Sequence, residues 1–327
     1  MTTHILVTGA NAGLGFETAR QLLSRATGLV SISARSQTKA DGARDALLTA
    51  TGAAPERLHT VVFDLLQPET VRSAVAALAS DGTTLSGVIL NAGGMAAAEG
   101  GAMPKAADGT TKLFAMNVGG HAHLVEGLLA HDVLAPGATV VFAGSEASRG
   151  IPMMAAKASV LPEGDLDEAL AAVVGGAHVQ GSVDDMHEYG LVKLIGTAWM
   201  RELDHRHGDR LRAFSISPGM TTGTGAADNM PAVMRVAMKY LMMPIMKLVG
   251  RAHAVDSGAG RYLQGLEDSS LQSGQFYASA YPGLVGPLTL QSVEHQPLLD
   301  NDAFARATGR LMDRLTATPT EALRVVG

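Results

Sequence analysis

Short apolar runs and amphipathic stretches alternate through the first two-thirds of the chain. The apolar runs predict six buried strands, at residues 5–7, 29–34, 58–63, 85–91, 138–143 and 211–217. Helical spacing of apolar positions predicts helices at residues 16–24, 39–50, 68–79, 108–131 and 185–207. Strands that alternate with helices in this way form a parallel sheet with helices on both faces. We therefore expect an α/β protein with one doubly wound sheet.

A glycine-rich turn, residues 8–15, joins the first strand to the first helix. Its glycines have the spacing Gly-x-x-x-Gly-x-Gly. Gly9 permits a tight turn, and Gly13 and Gly15 let the backbone and the helix approach a pyrophosphate closely. The helix N-terminus offers unpaired N–H groups and a partial positive charge to an anion. An ordinary strand–helix turn is the alternative, but the position directly after the first strand favours a dinucleotide.

The end of the second strand indicates which dinucleotide binds. Ligands of doubly wound sheets lie beyond the carboxyl ends of the strands, where a carboxylate grips the ribose 2′-hydroxyl of NAD. This chain has Ala34 and Arg35 there. Arg35 suits the 2′-phosphate of NADP because a guanidinium makes forked, charge-assisted contacts. The residue favours NADP over NAD, with a solvated surface arginine as the alternative.

Two further strand ends carry candidate cofactor contacts. Asp64 follows the third strand, where it is placed either to accept a hydrogen bond from adenine or to cap a turn. The small residues Asn91-Ala92-Gly93 follow the fourth strand and leave room for a cofactor, although a plain loop has the same composition.

Tyr189 and Lys193 carry the strongest chemical signal. Residues four apart share one face of a helix, so we expect the Lys193 ammonium near the Tyr189 hydroxyl. Free tyrosine has a pKa of about 10, and a neighbouring positive charge lowers it. Tyr189 would then give a proton to a carbonyl oxygen as hydride reaches the carbon, or take it back in reverse. Surface pairs of this kind are common, but this pair follows five strands of a dinucleotide-binding pattern.

With these motifs the chain resembles the short-chain dehydrogenase/reductase family over residues 4–280, and in particular its NADP-dependent carbonyl reductase and retinol dehydrogenase-like members. The resemblance rests on the glycine turn and on Asp64, Asn91-Ala92-Gly93, Asn117, Ser145, Tyr189-x-x-x-Lys193 and Pro218-Gly219. It implies a single Rossmann domain over residues 1–327. It also implies reversible hydride transfer between NAD(P) and an alcohol or carbonyl.

The resemblance assigns a role to each matched residue. Ser145 would hold the substrate oxygen, Tyr189 would be the acid or base, and Lys193 would lower the pKa of Tyr189 and bind the nicotinamide ribose. Asn117 would hold a water of the proton relay. Cofactor contacts would come from Thr8, Gly9, Asn11, Gly13, Leu14, Gly15, Arg35, Asp64, Leu65, Asn91, Ala92, Gly93, Tyr189, Lys193, Pro218, Gly219, Thr221 and Thr222. The threonines stand in for the family's usual threonine, whose place Gly223 takes here.

The spacing between Ser145 and Tyr189, 44 residues, is far longer than is usual in the family. We therefore expect an insertion at residues 151–186, with a helix at residues 165–174. A similar insertion in monomeric carbonyl reductases of the family covers the helical face that otherwise dimerises. The resemblance thus implies a monomer or dimer, with the insertion over the substrate pocket. A surface excursion is the alternative.

A methionine stripe predicts a helical substrate lid at about residues 220–250. Pro231 suits the start of a helix, and Pro244 should break or kink it. Flexible apolar methionines suit a pocket for a bulky lipophilic substrate, although core packing explains them equally. Interleaved basic residues leave a membrane-surface helix as a further alternative. The stripe consists of Met230, Met234, Met238, Met242 and Met246.

Composition narrows the possible functions. The 327 residues are 46% hydrophobic, carry a net charge of −6 without a basic block and contain no cysteine, so we expect a large core and neither nucleic-acid binding nor thiolate chemistry. The histidine pairs are spaced i,i+2, which predicts no metal site. No apolar run of about 18 residues predicts a membrane span, and a strand at residue 5 leaves no room for a signal peptide. We expect a cytoplasmic protein whose extension, residues 282–327, contains a helix at residues 302–315.

Together these features predict an NADP-dependent oxidoreductase that acts on a small-molecule carbonyl or alcohol. A non-catalytic NADP-binding sensor on the same fold is the first alternative, but such proteins commonly lose the Tyr/Lys pair. A nucleotide-sugar epimerase or dehydratase is the second, but those relatives usually space their glycines Gly-x-x-Gly-x-x-Gly. A scaffold with vestigial catalysis is the third, and only an assay separates it.

Overall fold

One sheet organises the computed structural model, which describes residues 3–96, 98–179, 184–222 and 252–317. Within these ranges eight strands pair in the order β3-β2-β1-β4-β5-β6-β7-β8. The first seven are parallel, and β8 pairs antiparallel with β7. This is the doubly wound order that the strand–helix alternation predicts. The strands are β1 (His4–Val7), β2 (Leu29–Ala34), β3 (Leu58–Val62), β4 (Leu85–Leu90), β5 (Leu134–Ala143), β6 (Leu211–Ile216), β7 (Phe276–Ala278) and β8 (Thr289–Leu290).

Helices cover both faces of this sheet. A continuous helix consists of α4 (Lys112–Phe114), a π-helical turn (Ala115–Gly119) and α5 (Gly120–Ala130). Short 3₁₀ turns lie at Pro55–Arg57, Glu146–Arg149, Pro152–Met154 and Pro297–Asp300. The other helices are α1 (Gly13–Leu23), α2 (Gln37–Thr51), α3 (Pro68–Ser80), α6 (Leu166–Gly175), α7 (Asp185–His207), α8 (Val255–Glu267) and α9 (Asp302–Thr316).

The central strands β1, β4 and β5 are buried on both faces, which is why their sequences contain continuous hydrophobic runs. Leu6 and Val140 point into a core shared with α3, α5 and α7. Their neighbours Val7 and Val141 point into a second core shared with α1, α2 and α8. Burial on both faces leaves the carboxyl ends of the strands as the edge where a ligand can approach.

The structure corrects several predicted boundaries. The helix predicted at residues 108–131 begins only at Lys112, because Thr111 is its N-cap and accepts a hydrogen bond from the Phe114 N–H at 3.2 Å. Residues 108–111 instead form a turn in which Asp108 accepts from the Thr110 N–H. Strand β5 begins earlier than predicted, and β7, β8 and α8 were not predicted. Strands β7 and β8 are too short to show a periodic pattern.

The insertion contains the predicted helix, here called α6. Asp165 caps it by accepting a hydrogen bond from the Asp167 N–H at 2.8 Å. Leu170 is fully buried in the core that α7 and α9 also line, together with Phe304 of α9. Helix α9 thus packs against α5 and α7, and α6 packs against α7 and α9. The C-terminal helix α9 therefore packs on this side of the molecule together with α6 of the predicted insertion.

Part of the predicted lid falls outside the structure that can be described. The methionine stripe at residues 230–246 lies outside the described residues. Within them, none of the helices combines the length and the apolar character needed to cross a membrane.

Candidate active site

Ser145 and Tyr189 come together beyond the carboxyl end of β5. Ser145 follows this strand and caps the 3₁₀ turn Glu146–Arg149, where its Oγ accepts a hydrogen bond from the Ala147 N–H at 3.2 Å. Asp184 caps α7 by accepting from the N–H groups of its first turn, which places Tyr189 in the second turn. The Ser145 hydroxyl lies close enough to that of Tyr189 to favour the phenolate and lower the pKa of Tyr189. The fold therefore closes the 44-residue gap between them.

The environment of Tyr189 keeps its hydroxyl protonated. Burial raises the pKa of Tyr189 to about 12, the neighbouring Ser145 hydroxyl opposes this rise, and the nearby charge of Glu146 adds to it. This is contrary to the lowered pKa expected from the sequence. In the protein alone, desolvation of the phenolate outweighs any help from Lys193.

Lys193 lies on the same helix face as Tyr189, as the spacing predicts. Its Nζ is 5.5 Å from the centre of the Tyr189 ring and donates a hydrogen bond to the Ala143 carbonyl at 2.9 Å. Only 3% of the residue is exposed, and burial lowers the pKa of its ammonium to about 7. The hydrogen bond recorded for the Lys193 side chain is therefore to the end of strand β5.

Asn117 lies in the π-helical turn, a feature that is frequent at functional sites. Its Nδ2 donates to the Gly94 and Leu113 carbonyls, both at 2.8 Å, and its Oδ1 accepts from the Gly94 N–H at 3.1 Å. The amide is therefore used to fasten the loop after β4.

His121 is a buried residue of the site that the sequence interpretation missed. Its Nδ1 lies 3.1 Å from the Asn117 carbonyl, which can only accept, so Nδ1 carries the proton. Nε2 then accepts from the Thr8 hydroxyl at 3.0 Å. Burial lowers the pKa of His121 to about 3, so the ring is neutral. Its spacing of four residues from Asn117 was the available signal.

The glycine turn matches a pyrophosphate site. Gly9 has φ +65, and α1 begins after Ala12 without a side-chain cap, so its first N–H groups face outward. A Cβ on Gly15 would lie 2.6 Å from the Gly9 carbonyl oxygen and 2.5 Å from Asn91 Nδ2. Gly15 is thus required by packing within the protein. Asn91 holds the turn by donating to the Thr8 carbonyl at 3.0 Å.

The other residues predicted to contact the cofactor near the glycine turn differ in how accessible they are to a ligand. Thr8 points inward, since its Oγ1 accepts from the Ala92 N–H at 2.9 Å. Gly13 starts α1 with φ +57, whereas Gly93 is exposed after β4. Asn11 is exposed at the turn, and Leu14 is half-buried.

Arg35 is exposed directly after β2, and no hydrogen bond or ion pair to another described residue holds its guanidinium. Asp64 forms a turn, with its Oδ1 accepting from the Leu66 N–H at 3.0 Å, which was one of the two roles considered. Leu65 is buried against the start of α5, where a Cβ on Gly120 would collide with it. Of these three residues, only Arg35 is fully available.

The loop after β6 carries Pro218 and Gly219. Gly219 has φ +74 and donates its N–H to Ser217 Oγ at 3.1 Å. The Thr221 hydroxyl donates to the Pro218 carbonyl at 3.1 Å, and the Thr222 hydroxyl donates to the His253 carbonyl at 3.1 Å. Both threonine hydroxyls therefore remain available only as acceptors.

Comparison with known proteins identifies the family. A family model described as short chain dehydrogenase matches residues 3–159. The short-chain dehydrogenase/reductase prx1 of Penicillium rubens is 29% identical over 216 residues, which are 65% of this chain and 56% of that protein. The chain belongs to the short-chain dehydrogenase/reductase family. The short chain dehydrogenase/reductase dpchH of Colletotrichum higginsianum is 31% identical over 238 residues, 70% of this chain and 56% of that protein. The chain thus spans a little over half the length of these curated relatives.

Solved structures confirm the fold. An NADPH-bound carbonyl reductase from chicken fatty liver superposes with a TM-score of 0.57 at 18% identity, over 87% of this chain and 94% of that chain. The L-sorbose reductase of Gluconobacter frateurii, complexed with NADPH and L-sorbose, gives 0.61 at 15% identity, over 88% and 98%. The expected family is confirmed, and it is a family of oxidoreductases that exchange hydride between NAD(P) and a carbonyl or alcohol.

Proposed function

We propose that this chain is an NADP-dependent oxidoreductase of small-to-medium lipophilic carbonyls or alcohols, with Tyr189 as the general acid or base. The proximity of the Ser145 and Tyr189 hydroxyls beyond the end of β5 carries this proposal. Two hydroxyls held side by side can both contact one substrate oxygen. Lys193 lies behind them, and the α1 N-terminus lies at the same edge of the sheet.

The protonation of Tyr189 supports the direction of reduction. Because burial raises its pKa to about 12, the hydroxyl holds its proton at neutral pH and is a proton donor. When bound, NADPH would supply the hydride that reduces the carbonyl carbon. Tyr189 transfers its proton to the carbonyl oxygen, and the product is an alcohol. Ser145 donates a hydrogen bond to the same oxygen and orients it.

NADP is proposed because the end of β2 suits a phosphate. Arg35 is free to contact it, and α2 begins next to this residue without a side-chain cap on its first N–H groups. A 2′-phosphate placed there would meet a guanidinium and a helix N-terminus together. The two solved relatives described above were crystallised with NADPH.

The proposed substrate is lipophilic because apolar side chains border the two hydroxyls. Ala147, Ile151 and Leu284 form a small buried cluster, and Tyr189 packs against it together with Met186 and Met220. Ile151 belongs to the insertion, and Leu284 belongs to the C-terminal extension. The sequence interpretation did not single them out.

We also propose a monomer. Helices α6 and α9 occupy the face of α5 and α7 that the family resemblance assigns to dimerisation, and Asp167 of α6 pairs with Arg310 and Arg314 of α9. Light scattering should give the mass of one chain. A tetramer built on that face would contradict the proposal.

The test of function is NADPH oxidation with benzaldehyde, cyclohexanone and menadione, with NADH and Tyr189→Phe run in parallel. We expect turnover with NADPH that falls about 10²–10⁴-fold in the variant, since that is the contribution of a positioned acid. NADPH affinity, measured by fluorescence titration, should change little. NADPH binding without turnover of any carbonyl would favour the non-catalytic sensor, and a preference for NADH would overturn the role of Arg35.

A further inference from the structure

Two opposite charges are buried behind the turn that carries Ser145. Glu146 is the next residue and is 4% exposed, and Arg261 of α8 is 5% exposed. Glu146 Oε1 lies 3.8 Å from Arg261 Nη1. Burial of both charges is unfavourable unless further hydrogen bonds satisfy them. The partners of the pair therefore show which segments it holds.

Glu146 binds the loop after β6 and the segment after β7. Its Oε2 accepts a hydrogen bond from the Ser217 hydroxyl, and its Oε1 accepts from the Ser279 N–H at 3.3 Å. Ser217 Oγ in turn accepts from the Gly219 N–H at 3.1 Å. A chain of hydrogen bonds thus connects the residue after Ser145 to the Pro218–Gly219 loop.

Arg261 binds the same loop from its other side. Its guanidinium donates to the Ser217 carbonyl at 3.0 Å and to Ser279 Oγ at 2.9 Å. It also donates to His253 Nε2 at 2.8 Å, which must accept because arginine has no acceptor. The His253 N–H donates to the Met220 carbonyl at 2.6 Å, so the loop is fastened at its start and its end.

We propose that Glu146 is a positioning residue of the active site, which through Ser217 and Arg261 holds the Pro218–Gly219 loop in place against the turn that carries Ser145. This inference rests on the proposed function and on the expectation that Pro218 and Gly219 contact the cofactor. Glu146 contacts neither substrate nor cofactor in this role. It sets the distance between the hydroxyl pair and the cofactor ring by joining the ends of β5 and β6.

The charge of Glu146 has a second effect, on the proton donor. The carboxylate raises the pKa of Tyr189 because it disfavours a second negative charge nearby. The charged and titratable groups that face Glu146 are Arg149 on its own turn, Arg261 and Tyr262 on α8, His253 before that helix and Tyr189 on α7. Removal of the carboxylate charge should therefore make Tyr189 more acidic.

The experiment compares Glu146→Gln, Ser217→Ala and the control Glu202→Gln with the wild-type chain. Glu202 is an equally buried glutamate that pairs with Arg206 on α7, away from the hydroxyl pair. We expect Glu146→Gln to weaken NADPH binding about fivefold or more and to move the pH midpoint of alcohol oxidation to lower pH. The alcohol is the one formed from the best carbonyl of the panel.

Ser217→Ala separates the two effects, because it removes the hydrogen bond to the loop and keeps the charge. It should weaken NADPH binding as Glu146→Gln does while leaving the pH midpoint unchanged, and it provides the test of positioning should Glu146→Gln fail to fold. Glu202→Gln should lower the melting temperature and move neither quantity.

Unchanged NADPH affinity in Ser217→Ala and in folded Glu146→Gln overturns the inference, as does an equal loss in Glu202→Gln. The NADPH titrations need no turnover, so they test the inference even if the wild-type chain reduces no carbonyl. A wild-type chain that binds NADPH but reduces no carbonyl would count against the proposed function and not against this inference.

Discussion

The two sides of the candidate site are built from different materials. On the cofactor side, the glycine turn and the loop after β4 present main-chain N–H groups, and their side chains bind one another, as Asn91 does with the Thr8 carbonyl. On the substrate side, the turn after β5 and the start of α7 lie among buried ionisable side chains, those of Glu146, Lys193 and Arg261. On the cofactor side, close packing limits which residues are tolerated. On the substrate side, the interactions among ionisable groups limit them.

The difference follows from what each side must do. A phosphate is held well by N–H groups and a helix N-terminus, which carry no titratable proton and work at any pH. Proton transfer instead requires a group whose pKa is set by its surroundings. Substitutions on the cofactor side should therefore reduce stability and cofactor binding through steric collisions. Substitutions on the substrate side should alter the pH dependence of the protein.

The largest effect is expected at Lys193, on the charged side. Burial lowers its pKa from 10.5 to about 7, so between these values the unfolded chain holds a proton that the folded protein lacks. Stability of the wild-type chain should therefore rise with pH across this window. Below pH 7 both states are protonated, and burial of the ammonium costs on the order of 4 kcal/mol.

Lys193→Met should remove this dependence, stabilising the protein near pH 7 and flattening its unfolding free energy between pH 7 and 10. Urea unfolding at several pH values measures both effects. Exposed Lys112→Met is the matched control and should behave as the wild type does. A rise between pH 7 and 10 that persists in Lys193→Met would show that another group causes it.

A smaller, steric effect is expected at Gly15, on the cofactor side. A Cβ in Gly15→Ala collides with the Gly9 carbonyl and Asn91, so we expect a loss of about 1–3 kcal/mol of stability and weaker NADPH binding. The pH dependence of activity should not change. Gly42→Ala in α2 is the control, since no atom lies within 4 Å of its added methyl group.

Gly42→Ala should stabilise the protein by up to about 1 kcal/mol, the difference in helix propensity, without affecting NADPH binding. Thermal melts and NADPH titrations measure both variants. Normal NADPH affinity in Gly15→Ala would mean that the turn yields without disturbing the pyrophosphate site.

The smallest effect is expected at Arg35, which is exposed. Arg35→Ala should weaken NADPH binding about tenfold, or about 1.4 kcal/mol, and leave NADH binding unchanged, because only NADPH carries the 2′-phosphate. Fluorescence titrations with both cofactors measure the ratio. Arg44→Ala, further along α2, should alter neither, and an equal loss for NADH would assign Arg35 a general role.

The sequence predicted the fold because its strands are local apolar runs that alternate with helices, and local patterns need no knowledge of distant residues. It also predicted that Tyr189 and Lys193 share a helix face, since four residues make about one turn. The start of the helix at residue 112 was missed because a threonine cap and a glycine turn interrupt the pattern. The candidate residues were found, but the surroundings that set their protonation were not.

What the sequence by itself determined is the alternation of strands and helices in the first two-thirds of the chain, the glycine turn and the shared helix face of Tyr189 and Lys193. Only the tertiary structure decided that burial raises the pKa of Tyr189 and that the Asn117 side chain is hydrogen-bonded to Gly94. It also decided that Glu146 pairs with Arg261, which is 115 residues away in the sequence. The reason is physical. Covalent geometry and periodicity act between near neighbours, whereas desolvation and charge pairing depend on which distant segments exclude water together.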